Sequence, residues 1–236
     1  MNRWLRQWWL IGAFVAPWCF AAHCAPRPTV VELYTSQGCS SCPPADALLG
    51  ELTHERNVLA LAFHVDYWDD QGWIDRFASP AATQRQQRYG QTLKLASVFT
   101  PQAIIDGQRS LVGSDRSAIL SQLRGAHEGI AVTITAQGDD LEVDLAPGNA
   151  QAGADVLLLA VLPEAQTAVA HGENGGRKLQ EFNIVRATYT LGTWNGDAHR
   201  YTVARSSLPK DATEVAVLVQ QAGQRSILGA ASYSWR

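Results

Sequence analysis

Two cysteines separated by two residues, Cys39 and Cys42, constrain the fold of this chain more than any other feature. The preceding residues 29–34 are apolar and β-branched, which predicts a buried strand. In the following residues 45–52, leucines recur at helical spacing, which predicts a helix. A strand, a Cys-x-x-Cys loop and a helix in this order are typical of thiol–disulfide chemistry. Backbone amides and the dipole at the start of a helix favour the reactive thiolate form.

The residue after Cys42 is a proline, which bears on where the helix begins. Proline disfavours helical backbone angles in the residue before it, so we expect Cys42 to lie outside the helix and the helix to begin at Pro43. Cys39 would then lie farther from the helix dipole, and the expected stabilisation of its thiolate would be weaker.

Residues 1–25 have the three parts of a secretory signal. Arg3 and Arg6 precede an apolar run over residues 8–20, and small residues follow up to Ala25. Because this run is short for a bilayer, we expect cleavage after Ala25, with an uncleaved N-terminal anchor as the alternative. The mature chain is then expected in the periplasm or outside the cell, without a stable membrane span.

Cleavage after Ala25 would leave Cys39 and Cys42 as the two remaining cysteines of the original four. In an oxidising compartment they would pair with each other or react with a partner. A disulfide that closes so short a loop adds little stability, so a purely structural role is poorly motivated.

Length and charge exclude some classes of function. The 236 residues, 46% of them hydrophobic, suffice for a core in one or two domains. The formal net charge is −3, and no basic stripe alternates with aromatic residues. Nucleic acid is therefore not an expected partner.

Residues 26–129 are predicted to form an α/β domain. Residues 57–65 are an apolar strand that completes a βαβ unit. Residues 66–98 are a largely helical insertion, with a helix starting at Ser79, and residues 99–126 contain a strand, a hairpin and a last helix.

Residues 130–236 show a different periodicity. Apolar residues alternate with polar ones, as in residues 130–134 and 141–145, and turn residues separate about seven such stretches. This pattern predicts a second, all-β domain of the sandwich type.

Several stretches of the sequence together resemble a known family. Residues 29–126 look like a thioredoxin-type domain. The closer resemblance is to exported bacterial proteins grouped as domain of unknown function 1223, and it is carried by residues 31–46, 63–68, 99–102, 172–174 and 183–186. The resemblance implies a thioredoxin-like fold and no settled reaction.

The two cysteines are the first candidate catalytic residues. Cys39 would attack a disulfide and Cys42 would resolve the mixed disulfide that forms. The alternatives are an inert bridge, or half of a metal site that would need further ligands because structural zinc normally has four.

Two further catalytic candidates rest on the resemblance. Glu32 lies seven positions before Cys39, and it would accept the Cys42 proton through a water, which requires a raised pKa. Its alternative is an outward-facing acid on an edge strand. Pro101, after Thr100, would be cis and lie against the two cysteines, so that the backbone of Thr100 meets an extended substrate.

Aromatic and polar residues near these elements are weaker candidates. Trp68 and Trp73 would form a substrate-facing rim, or simply pack the insertion onto the sheet. His64 and Asp66 end a strand and, with the two thiols, would suit copper or zinc; the alternative is a hydrogen-bonded structural histidine.

A glycine-rich loop contains His171, Glu173 and Asn174. These residues would fold over the dithiol or hold a cation, and the alternative is an ordinary hairpin loop.

The favoured hypothesis is thiol–disulfide exchange with protein partners, without a cofactor. A binding module for a metal ion or a protein partner is the second hypothesis, and a fold that keeps its dithiol only as a local clasp is the third.

Overall fold

The structure is a computed structural model that describes residues 25–69, 72–123, 127–149 and 153–235. The predicted export signal, residues 1–25, lies outside the described residues except for Ala25. Among the described residues, no helix is long and apolar enough to cross a membrane.

The described chain is mainly β-structure with three α-helices. Its strands are β1 (Ala25–Arg27), β2 (Thr29–Thr35), β3 (Val58–His64), β4 (Gln102–Ile105), β5 (Arg109–Val112), β6 (His127–Gly129), β7 (Val132–Gln137), β8 (Asp140–Leu145), β9 (Ala154–Ala168), β10 (Lys178–Trp194), β11 (His199–Ala204), β12 (Glu214–Gln221) and β13 (Ile227–Ser234). Its helices are α1 (Pro43–Leu52), α2 (Pro80–Thr92) and α3 (Arg116–Gln122), with a 3-10 turn at Arg205–Ser207.

Eight strands form one mixed sheet in the order β13-β12-β9-β10-β3-β2-β4-β5. Strands β2 and β3 are parallel, whereas β4 is antiparallel to β2. Strand β10 runs antiparallel to β9 and meets β3 in parallel where Ile184 lies opposite Ala62. Strands β11, β8 and β7 form a separate three-stranded sheet, and β1 pairs with β6.

The two faces of the large sheet have different covers. On one face, α2 packs on a core that includes Tyr34 and Phe63 from the N-terminal strands and Leu159 and Leu218 from the C-terminal strands. Alternate residues of the same strands point to the other face. There α1 and α3 cover β2, β3 and β4, and the three-stranded sheet covers β9 and β12.

The predicted fold class, an α/β thioredoxin-like domain followed by a separate all-β sandwich-like domain, is wrong. Strands β9, β10, β12 and β13 extend the sheet that contains β2 and β3, and they share its α2-side core. Alternation along a strand predicts which face is buried, but it does not predict which strand lies beside it. The change in periodicity after residue 129 therefore marks the part of the chain where a second sheet, instead of helices, covers the large sheet.

The helix starts follow from local sequence. Pro80 occupies the first turn of α2, and the Ser79 hydroxyl accepts a hydrogen bond from the Ala82 amide at 3.2 Å. Helix α1 begins with Pro43 and Pro44, which have no N–H to leave unpaired. The leucines of α1 are buried against the sheet, as their spacing predicts.

Strands β9 and β10 are the long strands of the sheet, with 15 and 17 residues. They pair from Ala154 and Trp194 at one end to Ala168 and Lys178 at the other. Residues 169–177, here called the hairpin tip, connect the two strands. Through its length, this hairpin carries C-terminal residues to the start of α1.

Candidate functional site

Cys39 and Cys42 form a disulfide at the start of α1, with their Cα atoms 5.4 Å apart. The backbone turns between them, because the Cys42 amide donates to the Cys39 carbonyl oxygen at 3.2 Å. Both cysteines are completely buried, with 0% of each exposed to solvent. The Ser41 hydroxyl lies 3.4 Å from the Cys39 sulfur. A reactant in solution therefore cannot touch either sulfur in this conformation.

The backbone of Cys42 differs from the expectation. Its φ of −78° and ψ of −38° are helical, so the prediction that Pro43 would push Cys42 away from helical angles is wrong. The amides of Ala45 and Asp46 both donate to the Cys42 carbonyl oxygen, at 2.8 and 3.1 Å, so Cys42 is the N-cap of α1, which begins at Pro43 as predicted. Since Pro43 and Pro44 have no N–H, they offer no amide to a thiolate.

The hairpin tip covers the disulfide loop through two polar side chains. The buried Asn174 amide donates to the carbonyl oxygens of Gln37 and Cys39, at 3.0 and 2.9 Å. The Glu173 carboxylate accepts a hydrogen bond from the Ser40 amide at 3.0 Å. Hydrogen bonds from Ser40 lower the pKa of Glu173. Of the two sequence alternatives for this loop, the structure has the one in which Glu173 and Asn174 lie over the dithiol, whereas the exposed His171 makes no described contact with it.

Gln37 connects the disulfide loop to three other elements. Its side-chain amide donates to Glu181 in β10 at 2.7 Å and to Thr167 in β9 at 3.1 Å. Its side-chain oxygen accepts from the Trp73 indole at 2.9 Å, and its backbone amide donates to Asp75 at 2.9 Å. Sequence reasoning missed Gln37 and Glu181 as members of the site. The residues around Glu181 are mostly polar, so the sequence there contains no signal that singles it out.

A buried polar cluster lies beneath this loop and consists of Asp46, His64, Asp75 and Glu181. The His64 Nδ1 atom is 2.7 Å from Asp75, and the Thr35 hydroxyl donates to Asp46 at 2.8 Å. Burial raises the pKa of Asp46 to about 7 and also raises the pKa of Glu181.

Mutual attraction in the His64–Asp75 pair favours the charged form of each partner. Burial opposes the charge on each partner, yet the attraction between them leaves the pKa of His64 raised and the pKa of Asp75 lowered. His64 was expected to be either a ligand or a hydrogen-bonded structural residue, and its contacts are of the second kind. Asp66 accepts a hydrogen bond from Thr83 instead.

Three members of the cluster have the geometry to approach a cation. One ligand-type atom each of His64, Asp75 and Glu181 lies within 4.8 Å of the others. The Nε2 atom of His64 has no hydrogen-bond partner among the described residues. The carboxylates of Asp75 and Glu181, however, already accept hydrogen bonds from Gln37. A cation would therefore have to displace protein donors.

The predicted substrate-facing residues surround the Cys39 loop through hydrogen bonds. The Trp68 indole donates to the Thr100 hydroxyl at 2.8 Å, and Trp68 packs beside Gly38, where an added Cβ atom would lie 3.1 Å from the Trp68 Cβ atom. The peptide bond between Thr100 and Pro101 is cis, as predicted. Trp68 thus links the loop that contains Cys39 to Thr100.

Glu32 is not brought to the dithiol. It lies on the α2 side of β2, where Arg85 donates to both of its carboxylate oxygens, at 2.6 and 2.9 Å. The hydroxyls of Tyr34 and Tyr89 also donate to it. Its neighbours Val31 and Leu33 face α1 instead. Because side chains alternate along a strand, the position one residue away from the expected one puts Glu32 on the opposite face from α1.

Comparison with known proteins places the chain in a family. Residues 30–220 match the family described as "Protein of unknown function (DUF1223)". The chain belongs to this family. The membership expected from the sequence is thus confirmed, and the description of the family leaves the reaction open.

Two solved structures resemble this DUF1223 protein. A crystal structure of a protein from Agrobacterium tumefaciens is 32% identical, with a TM-score of 0.78, and the match covers 89% of this chain and 95% of that one. HBP35 of Porphyromonas gingivalis is 15% identical, with a TM-score of 0.60 over 89% of this chain and 75% of that one; this likeness concerns the fold alone. A search of curated proteins found no match.

Proposed function

We propose that this protein is exported and exchanges disulfides with protein thiols through Cys39 and Cys42. The observation that carries the proposal is a disulfide that closes a two-residue loop at a helix start and is covered by a polar hairpin tip. A cover made of a few hydrogen bonds opens at lower cost than one made of packed apolar side chains. A disulfide in such a place is accessible after a local movement.

The proposed reaction begins with the reduced form of the protein. The Cys39 thiolate attacks one sulfur of a partner disulfide, and the partner's other sulfur leaves as a thiolate. The Cys42 sulfur then attacks Cys39, which releases the partner's second sulfur and restores the disulfide seen in the structure. The partner gains two electrons, which the Cys39–Cys42 pair loses.

The reduction potential of the pair tests this function. The full mature protein is equilibrated with glutathione buffers, and free thiols are counted by mass-tagging. A potential between about −270 and −120 mV is the range of working exchange proteins. A value below about −300 mV, typical of structural disulfides, would overturn the proposal.

Trapping of partners gives a second readout with a matched control. Cys42→Ser should accumulate a mixed disulfide with a peptide disulfide, because the resolving sulfur is absent. Cys39→Ser, with the same loss of one sulfur, should trap much less because the attacking sulfur is absent. Equal trapping by both variants would contradict the assigned roles. If neither variant traps and the reduced wild type instead retains stoichiometric metal, the binding-module alternative replaces the exchange function.

A further inference from the structure

Asp46 lies one helical turn after Cys42 on the buried side of α1. Cys42 has helical backbone angles, and the Asp46 amide donates to its carbonyl oxygen at 3.1 Å. Residues four apart in a helix share a face, with Cβ atoms about 5–6 Å apart. Side chains on a helix also lean toward its N-terminus. The leaning direction takes the Asp46 carboxylate toward Cys42.

Both side chains are enclosed by the protein. Cys42 is 0% exposed and Asp46 is 8% exposed. The Thr35 hydroxyl donates to one Asp46 oxygen at 2.8 Å, which holds the carboxylate against the end of β2. Glu32, the acid expected to serve Cys42, is on the other face of the sheet and is paired with Arg85.

We propose that Asp46 accepts the proton of the Cys42 thiol when the mixed disulfide is resolved, and returns it when the disulfide is reduced. This inference rests on the proposed exchange function. In the resolving step the S–H bond of Cys42 breaks, its proton moves to an Asp46 oxygen, and its electron pair forms the bond to the Cys39 sulfur. The Cys39–partner bond breaks, and the partner thiolate leaves with that electron pair.

The proton has a route from Asp46 to solvent. Asp46 lines a surface cavity of about 510 Å³ between α1 and β10, together with Pro43, Glu51, Lys178 and Phe182. Glu51 and Lys178 are exposed, so this cavity opens to water. A carboxyl group one helical turn after Cys42 that also lines an open cavity offers the proton of a covered thiol a path to bulk solvent.

The charged surroundings of Asp46 suit proton exchange near neutral pH. His64, Asp75 and Glu181 act on it from the elements packed against α1, and burial with these neighbours gives it a pKa of about 7. Glu51, His54 and Lys178 lie along the same cavity. An acceptor with a pKa near the working pH is the most effective one.

The first test is the pH profile of resolution in the reduced mature protein. A small aromatic disulfide reacts with Cys39 and releases one coloured thiolate; resolution by Cys42 releases the second. Asp46→Asn should slow the second release at least tenfold at pH 6–7 and recover toward the wild-type rate at pH 9, where hydroxide removes the proton. The control Glu55→Gln changes an exposed carboxylate that follows the same helix and lies outside the cavity lining, and it should keep the wild-type profile. An unchanged profile in Asp46→Asn would overturn the proposal.

A second test does not depend on exchange. In Cys39→Ser, the alkylation rate of Cys42 by iodoacetamide against pH reports the pKa of its thiol. Adding Asp46→Asn removes a neighbouring negative charge and should shift this profile to lower pH; no shift would overturn the proposal even if the wild type exchanges disulfides. If the wild type does not exchange, a shift still places Asp46 beside Cys42 while the exchange function itself fails.

A further variant guards against misfolding of Asp46→Asn. Thr35→Val keeps the carboxylate but removes the hydrogen bond that favours its charged form. It should move the low-pH limb of the resolution profile to higher pH. If Thr35→Val is folded and the low-pH limb of its rate profile is unchanged, the proposed role of Asp46 is overturned.

Discussion

The side-chain amide of Asn174 donates a hydrogen bond to the carbonyl oxygen of Cys39 at 2.9 Å. The two residues are 135 positions apart in the chain, and the same amide also donates to Gln37. One buried side chain at the hairpin tip thus holds both ends of the segment that leads into the disulfide.

Asn174→Ala should speed the reduction of the disulfide by dithiothreitol. The change removes the side-chain donor from the Gln37 carbonyl oxygen and one of the two donors from the Cys39 carbonyl oxygen, which keeps the Cys42 amide, at a cost of about 1–3 kcal/mol to the closed arrangement. Since 1.4 kcal/mol is a factor of ten in an equilibrium, about a tenfold increase in rate is expected. The rate is followed by quenched thiol labelling and mass spectrometry.

Glu164→Ala is the matched control for the hairpin tip. Glu164 lies in the same hairpin, is exposed, and pairs with Gln180 on the neighbouring strand. Its loss should leave the reduction rate unchanged. If Asn174→Ala reduces at the wild-type rate while remaining folded, the hairpin tip does not limit access to the sulfurs.

Arg85→Met should destabilise the protein by about 3–5 kcal/mol, because it leaves the buried Glu32 carboxylate without its partner. The free energy of unfolding in urea measures the effect. Arg116→Met breaks the exposed pair with Glu51 and should change the stability little, because solvent screens exposed charges. If both variants lost the same free energy of unfolding, the buried Arg85–Glu32 pair would contribute no more to stability than the exposed Arg116–Glu51 pair.

Asp46→Asn should remove part of the pH dependence of stability. Because the pKa of Asp46 in the folded protein, about 7, lies above its ordinary value of 3.8, the folded state binds more protons than the unfolded state between these values. The wild type should therefore lose stability as pH rises from 4 to 8.

The Asp46→Asn variant has no carboxyl proton to lose. Its stability should therefore rise relative to that of the wild type over the same pH range. One pKa unit corresponds to 1.36 kcal/mol, so the gain is on the order of 4 kcal/mol. Unfolding in urea at pH 4, 6 and 8 gives the comparison. A constant difference between the two proteins across this range would contradict a raised pKa for Asp46.

Reduction of Cys39–Cys42 should leave the protein folded. A loop this short contributes roughly 2 kcal/mol in the chain-entropy account of disulfides, which is small beside the stability of a domain of this size. Unfolding free energies with and without a phosphine reductant provide the test. Loss of the folded state on reduction would identify the bridge as a structural staple.

Local features of this chain were predictable because they depend on near neighbours. Ser79 and Pro80 determine the start of α2, and the alternation in residues 130–145 determines a hairpin. The family was also predictable from short stretches around Cys39 and Pro101. In each case the cause lies within a few residues of the effect.

Features that depend on which strands meet were not predictable. The sequence allows the loop with Asn174 to cover the dithiol but does not choose between this and an ordinary hairpin loop, because the contact with Cys39 requires β10 to lie beside β3. Glu32 shows the same limit at the scale of a single residue, since one position along a strand decides which face it serves. Asp46 appears from the sequence as one more polar residue in a helix, and only the packing of β10 against α1 encloses it.

The parallel pairing of β10 with β3, where Ile184 lies opposite Ala62, limits how this protein can be divided into fragments. A fragment that stops before residue 130 would lack Asn174 above the disulfide, Glu181 beneath it, and the Gln220 oxygen that accepts from Arg85 at 3.0 Å. It would also open β3 as a bare edge, which invites pairing with other chains. The smallest piece that can report on the cysteines is therefore nearly the entire chain.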